Sequence, residues 1–224
     1  GDLDEIRKKL LKVSTVPFGT VPIYQTGIQA VEKHGAIIDM TSDEMFNTFE
    51  RQAKQGVDFA VVHVGVTKES VERLKHQKRL IPMVSRGGAF HMAWILQHEQ
   101  ENPLYQDFDH LLDIAKEYDV TLSLGDGMRS GALADSNDRA KFQEMLIIGE
   151  LIEQSRKNEQ KKFPKLNSLN IGTKLERDEI KKRITARLKE RFKIGMIEEV
   201  EELLRSGISM KKLEYFGLEY KYIG

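Results

Sequence analysis

VDFAVVHVGV (57–66) is the stretch on which the fold turns. It is apolar and rich in β-branched residues, and it is too short for a core helix. It therefore reads as a strand buried on both faces, the kind found inside parallel sheets. Before it, TSDEMFNTFERQAKQG (41–56) has the marks of a helix. Thr41 or Ser42 can cap the first turn, Glu44 stands three residues past Thr41, and Gly56 supplies the stop. After it come a helix near 67–77 and a second apolar run, IPMVS (81–85), read as a strand. That run leads into Arg86-Gly87-Gly88 and a helical stretch, AFHMAWILQHE (89–99). DFDHLLDIAKEY (107–118) is an amphipathic helix, VTLSLGDG (120–127) the next strand, and a long helix covers about 137–156. Upstream, DEIRKKLLKV (4–13) reads as helix and TVPIYQ (20–25) as a short extended segment entered through Gly19.

Strands alternating with helices of this length mean βα units and a parallel sheet, about four units here. A closed (β/α)8 barrel needs roughly 200–250 residues, more than this region offers. The pattern fits either a small open α/β sheet or part of a barrel.

The whole chain has 224 residues, 40% hydrophobic and 31% charged, with mean hydropathy −0.45. That is a soluble globular composition. No apolar run approaches the roughly 20 residues of a bilayer span, the first residues are too polar for a secretory signal, and a cytoplasmic location is expected. There are no cysteines, so the chain offers neither disulfides nor thiolate ligands for zinc or iron–sulfur clusters. The zero net charge hides a split: residues 1–156 carry 18 Lys and Arg against 24 Asp and Glu, the remainder 17 against 11. All six histidines fall in the first part. SRKNEQKKFPKLNS (155–168) has linker composition, which suggests domains at 1–155 and 169–224 around a linker at 156–168. Beyond it, LNIGTKL (169–175) is a candidate strand and residues 176–207 read as helix, interrupted at Gly195 and ended at Gly207.

In parallel α/β folds ligands bind beyond the carboxyl ends of the strands. There stand His63, then Ser85-Arg86-Gly87-Gly88, then Gly125-Asp126-Gly127-Met128-Arg129. Ser-Arg-Gly-Gly entering a helix suits a phosphate: the glycines permit close approach, the helix start offers amides, and arginine offers a charged fork. The same residues also fit a tight turn with one surface arginine. Asp126 and Arg129 could grip a polar ligand or pair with each other. His63 could contact a ligand, move a proton or be structural. His91 and His98 share a helix face without metal-ligand spacing, and Met92 and Trp94 read as core.

GTVPIYQ (19–25), VHVGV (62–66), VSRGGAF (84–90), ENPLYQDFD (101–109), YDVTLSLGDGMRSG (118–131) and ADSNDRAKFQEMLIIGEL (134–151) occur in this order. Together they resemble the phosphomethylpyrimidine synthase (ThiC) family of thiamine biosynthesis, and its relative, the hydroxybenzimidazole synthase of anaerobic cobamide biosynthesis. The resemblance spans residues 1–155. It implies a (β/α)8 barrel, here partial, and a radical S-adenosylmethionine rearrangement of aminoimidazole ribotide, a carbon–carbon lyase chemistry that uses a [4Fe-4S] cluster and zinc. Matched motif by motif, the family's substrate-binding positions fall on Tyr24, His63, Ser85, Arg86, Gly87, Asp126, Gly127, Met128 and Arg129. The family commonly has proline after this arginine; here Ser130 stands there. The family's later metal histidines and its Cys-x-x-Cys-x-x-x-x-Cys motif have no counterpart, so the resemblance implies a truncated chain, inactive alone, that would need a full-length homologous subunit for its cluster.

From Phe163, LNIGTKLERDEIKKRITARLKERFKIGMIEEVEELLRSGIS and LEYFGLEYKYI resemble the later part of tRNA dimethylallyltransferase. That family modifies a tRNA adenine using dimethylallyl diphosphate and magnesium. Its GxxxxGK[ST] phosphate loop is missing, so no catalytic residue carries over. A basic helix face at Lys181, Lys182, Arg183, Arg187 and Arg191 could touch RNA phosphate, or be an ordinary solvated face. The expected partners are thus the ribotide and, for the second segment, weak RNA contact, with no membrane.

Overall fold

A computed structural model describes residues 2–157, 176–210, 213 and 223. The chain forms two units, 1–162 and 163–224. The proposed strand at 169–175 and most of the linker lie outside the described residues.

The first unit runs α1 (Leu3–Val13), β1 (Gly19–Thr20), α2 (Pro22–His34), α3 (Ser42–Lys54), β2 (Phe59–Val62), α4 (Lys68–Lys75), α5 (Arg86–His98), α6 (Pro103–Gln106), α7 (Phe108–Glu117), β3 (Thr121–Leu124) and α8 (Arg139–Lys157). The three strands form one parallel sheet in the order β1-β2-β3, with Gly19 opposite Phe59, and Phe59 to Val62 opposite Thr121 to Leu124. This is an α/β arrangement in which all strand carboxyl ends face one rim. α3 starts where its sequence says it should. Thr41 accepts the Glu44 amide at 3.2 Å, and Glu44 accepts the Thr41 amide at 2.9 Å. Burial pushes the Glu44 carboxyl up, but Lys33, the Thr41 amide and His34 together hold it down at about 2. The core gathers Met40, Met45, Phe49, Val62, Val64, Val66, Trp94 and Leu111, all nearly fully buried. Burying such a side chain contributes about 1.5–3 kcal/mol.

Two sequence expectations fail. Of the extended segment at 20–25 only Thr20 is in a strand, with Gly19 before it, because Pro22 at the first helical position starts α2 with its φ already set. Tyr24 therefore sits on a helix. The strand expected at 81–85 is irregular. β2 pairs directly with β3, which leaves no slot between them, and Pro82 removes a ladder donor. The amides of Leu80 and Ile81 go instead to the Asp135 carboxylate at 2.8 and 3.4 Å. The described residues thus hold three βα strands rather than about four.

In the second unit α9 (Arg177–Ile194) and α10 (Met196–Arg205) meet at Gly195, whose φ of 106° ends the first helix, and Gly207, at φ 90°, follows the second. Met196 and Val200 are buried, whereas Ile180, Ile184 and Phe192 of the apolar spacing are exposed. No helix among the described residues is long and apolar enough to cross a membrane.

Candidate functional site

The parallel sheet delivers two turns to one rim, and the irregular segment at 81–85 brings a third beside them. His63 follows β2, Gly125 to Arg129 follow β3, and Ser85 opens α5. Their packing is close because glycines stand where they meet. A Cβ on Gly87 would overlap the His63 imidazole, and one on Gly88 would lie 2.5 Å from the Gly127 carbonyl oxygen, a backbone atom with no freedom to withdraw. The Gly125 Cα side lies against the same imidazole, so the His63 ring is held between two glycines. The sequence offered these glycines as room for a ligand; here they make room for one another and for His63.

His63 is 4% exposed and its Nδ1 has no hydrogen-bond partner. Burial pushes its pKa down to about 4, the Arg129 charge adds to the effect, and Asp126 opposes it. The imidazole is therefore neutral at physiological pH. Ser85 is buried and its hydroxyl accepts the Gly88 amide at 3.1 Å, which makes it the cap of α5. Arg86 lies over the Tyr24 ring at 5.9 Å, and Tyr24 meets Phe90 edge-on at 6.1 Å. Tyr24, His63, Ser85, Arg86 and Gly87 are thus linked through direct contacts or adjacent positions.

Asp126 and Arg129 do not pair through their charged ends. Arg129 donates to the Asp126 backbone carbonyl at 2.9 Å, while the Asp126 carboxylate pairs with Lys141. Burial raises the Asp126 pKa, but Lys141, then Glu144 and then Arg129 hold it below the usual value. Gly127 and Met128 give their amides to Glu144, at 2.6 and 3.0 Å. Glu144 is fully buried, and burial raises its pKa despite Lys141 at 3.1 Å. Met128 is fully buried as well, so its side chain is core and only its backbone belongs to the turn. Its carbonyl accepts from Arg79 at 2.8 Å, and Arg79 also pairs with Asp138 at 2.7 Å.

Sequence reasoning missed four side chains. Glu144 and Lys141 on α8 organise the Asp126–Arg129 turn, Arg79 holds it from the irregular segment, and His91 lies 6.2 Å from His63, ring centre to ring centre. The signal for the first pair was Glu144 itself, which stands in register with Ala140, Ile147 and Leu151 on the buried face of α8, with Lys141 three residues before it. Nothing local marked Arg79. Trp94 and Met92 belong to the core as expected, and Trp94 donates to the Met40 carbonyl at 2.7 Å.

The three turns carry a cation at Arg86, a neutral imidazole at His63 and a carboxylate at Asp126. They do not suit the cofactor chemistry that the first resemblance implies. With no cysteine there is no thiolate for an iron–sulfur cluster, and among the described residues no three His, Asp or Glu side chains are grouped to hold a metal ion.

Comparison with known proteins agrees with both resemblances. The Radical SAM ThiC family matches residues 1–163, and IPP transferase matches residues 128–223. The phosphomethylpyrimidine synthase of Methanocaldococcus jannaschii is 58% identical over 156 residues, covering 70% of this chain and 37% of that protein. The one from Pyrococcus abyssi is 57% identical over 157 residues, and the one from Methanococcus maripaludis 54% over 156, with the same coverage of both chains. The chain spans a little over a third of the length of these relatives, 37% in each case.

Proposed function

The chain belongs to the Radical SAM ThiC family through residues 1–163, and from that premise we propose that its first unit binds aminoimidazole ribotide at the rim of a partial (β/α)8 barrel, in the service of thiamine pyrimidine synthesis. The reading is carried by the meeting of His63, the Ser85–Gly88 turn and the Asp126–Arg129 turn at one edge of the sheet. Arg86, in the first turn of α5, supplies charge for the phosphate. His63, neutral, contacts the azole, and the Asp126 carboxylate accepts from a ribose hydroxyl. Ser85 acts by fixing the start of α5.

The chain's own residues stop at binding and orientation. Cluster chemistry requires thiolates that these 224 residues do not contain, so turnover of the bound ribotide needs cluster ligands from outside them, and a homologous subunit is the source we propose. The names of the relatives favour the pyrimidine product over benzimidazole.

Calorimetric titration of the full chain with aminoimidazole ribotide tests this. Saturable heat that disappears in Arg86→Ala is expected; no heat at millimolar ligand overturns the site. Turnover by these 224 residues with no cluster-bearing chain added overturns the need for outside ligands.

A second reading attaches to residues 163–224 and is favoured by the IPP transferase likeness. The α9 side chains Lys181, Lys182, Arg183, Arg187 and Arg191 would meet tRNA phosphates. Arg183 already pairs with Glu179 at 3.0 Å, so the competing role is a solvated helix face. Binding of tRNA that falls steeply with salt and is lost on replacing Lys181, Arg183 and Arg187 supports RNA contact; salt-insensitive or unaltered binding refutes it.

A further inference from the structure

We propose that the small cavity beneath His63 is a binding site for one structural water, held by His91, Thr26 and His63, and that this water fixes His63 in the tautomer that carries its proton on Nε2.

The cavity measures about 10 Å³ and is lined by ten residues, of which Thr26, His63 and His91 are the polar ones. A space of that size accommodates about one water when two to four polar groups face it. The polar groups have unmet needs. His91 is fully buried and neither of its ring nitrogens has a hydrogen-bond partner. The Nδ1 of His63 is buried and likewise unpartnered. The two ring centres are 6.2 Å apart, too far for a direct ring-to-ring hydrogen bond and suited to a bridge of one oxygen atom. Burial keeps both rings neutral, with pKa values lowered to about 4 for His63 and about 3 for His91, so each carries a single N–H.

Counting hydrogens then selects the tautomer. The Thr26 hydroxyl donates to the Pro22 carbonyl at 3.2 Å, so it offers lone pairs to the cavity. If His91 donates to the water, the water donates to Thr26 Oγ1 and to His63 Nδ1, and every buried hydrogen has an acceptor. If His63 donates from Nδ1 instead, the water donates to His91, whose own N–H moves to its other nitrogen. That nitrogen is buried with no acceptor, and orphaned buried donors are rare. If both rings donate to the water, its two hydrogens find one side-chain acceptor in the lining, Thr26 Oγ1, and one hydrogen is orphaned. The first arrangement leaves the His63 proton on Nε2. His91 is thereby a positioning residue that acts through the water. It follows that a group meeting Nε2 must be an acceptor, such as an azole nitrogen or a ribose oxygen; this last step rests on the proposed ribotide site, whereas the water and the tautomer do not.

Long-range proton–nitrogen correlation on the ¹⁵N-labelled full chain reads the tautomer directly. We expect a pyrrole-type shift at His63 Nε2, a pyridine-type shift at Nδ1, and water–protein cross-relaxation at the ring protons of both histidines. In His91→Leu the water signal at His63 is lost and its two nitrogen shifts converge; His91→Asn, which keeps a donor, restores their separation. A proton on Nδ1 in the wild type, no water cross-relaxation, or His63 shifts unchanged in His91→Leu each overturns the proposal. If His91→Leu does not fold, the two wild-type measurements decide it. A failed ribotide titration beside an intact Nε2–H signature overturns the ribotide reading alone.

Discussion

Replacing Glu144 should loosen the Asp126–Arg129 turn without touching a residue of that turn. Its carboxylate takes the Gly127 amide at 2.6 Å and the Met128 amide at 3.0 Å, and meets Lys141 at 3.1 Å. Glu144→Gln keeps the shape, and one oxygen can still accept from the amides. It loses the charge, and its new NH₂ group faces Lys141. Hydrogen bonds to charged groups contribute about 1.5–3 kcal/mol each, and part of one is retained, so a loss of about 2 kcal/mol is expected. Glu144→Ala strands two buried amides at about 1–3 kcal/mol each and leaves a cavity, giving about 4 kcal/mol. A domain whose stability is about 5–15 kcal/mol survives the first change and is marginal after the second. Urea unfolding followed by Trp94 fluorescence checks this, because Trp94 is the single tryptophan and lies in the core of the first unit. With a slope near 2 kcal/mol per molar, Glu144→Gln should lower the midpoint by about 1 M. Ribotide affinity should fall as well. A midpoint within about 0.2 M of wild type in both variants would show that the carboxylate does not hold the turn.

Arg79→Met should destabilise by about 3–5 kcal/mol, because it leaves Asp138 and the Met128 carbonyl without their buried partner; a thermal midpoint equal to wild type refutes this. Gly88→Ala forces a methyl against the Gly127 carbonyl and should cost about 1–3 kcal/mol together with ribotide binding; binding at wild-type affinity counts against the turn-to-turn packing. For pH, His63 and His91 have folded pKa values lowered to about 4 and about 3 from 6.5. The unfolded chain therefore binds more protons once pH falls through 6.5, and the stability these neutral rings contribute is present well above 6.5 and lost as pH falls from there to about 4 for His63 and about 3 for His91. Urea midpoints in steps of half a pH unit should show this decline, and His91→Leu should reduce its slope; an unchanged slope refutes the assignment to these rings.

The strand inside 57–66 and the capped helix inside 41–56 were legible because their signals are local, a β-branched run in one case and a Thr–Glu box with a glycine stop in the other, but the strand is paired only at Phe59–Val62 and Phe59 and Val61 are half-buried, so it is not buried on both faces. Position placed His63 just past β2 and Asp126 and Arg129 just past β3, whereas Arg86 enters α5 from the irregular segment at 81–85 and not from a strand. Local signals misled at 81–85, where IPMVS has strand composition but pairs with no strand: the place between β2 and β3 is closed by their direct pairing, Pro82 lacks a donor, and the Leu80 and Ile81 amides go to the Asp135 carboxylate. A strand is defined by its neighbours, and composition says nothing about whether a neighbour is present. Arg79 was hidden for a related reason. Its partners, Met128 and Asp138, are 49 and 59 residues away, and nothing in a lysine- and arginine-bearing loop foretells such a pairing.

What ties the rim together explains why a three-stranded sheet can position it. Only four residues of β2 and of β3 are paired, and two of β1, so sheet hydrogen bonds alone would fix the turns poorly. The restraint comes from above and beside the sheet. Glu144 on α8 takes two amides of the Asp126–Arg129 turn, Arg79 takes its carbonyl, and Gly88 lies directly on Gly127. These three devices act on the same few backbone atoms from three different elements, so no one of them is dispensable in geometry even where it is modest in energy. They also couple the turns: a shift at Gly127 must move Gly88, and α5 carries Gly87 against the His63 ring one residue earlier. The effect of Glu144→Gln on His63 is the measurable consequence, since that side chain touches neither the imidazole nor its cavity. A rim that moves as one body transmits the change to the His63 ring environment; three independent loops would leave it where it is.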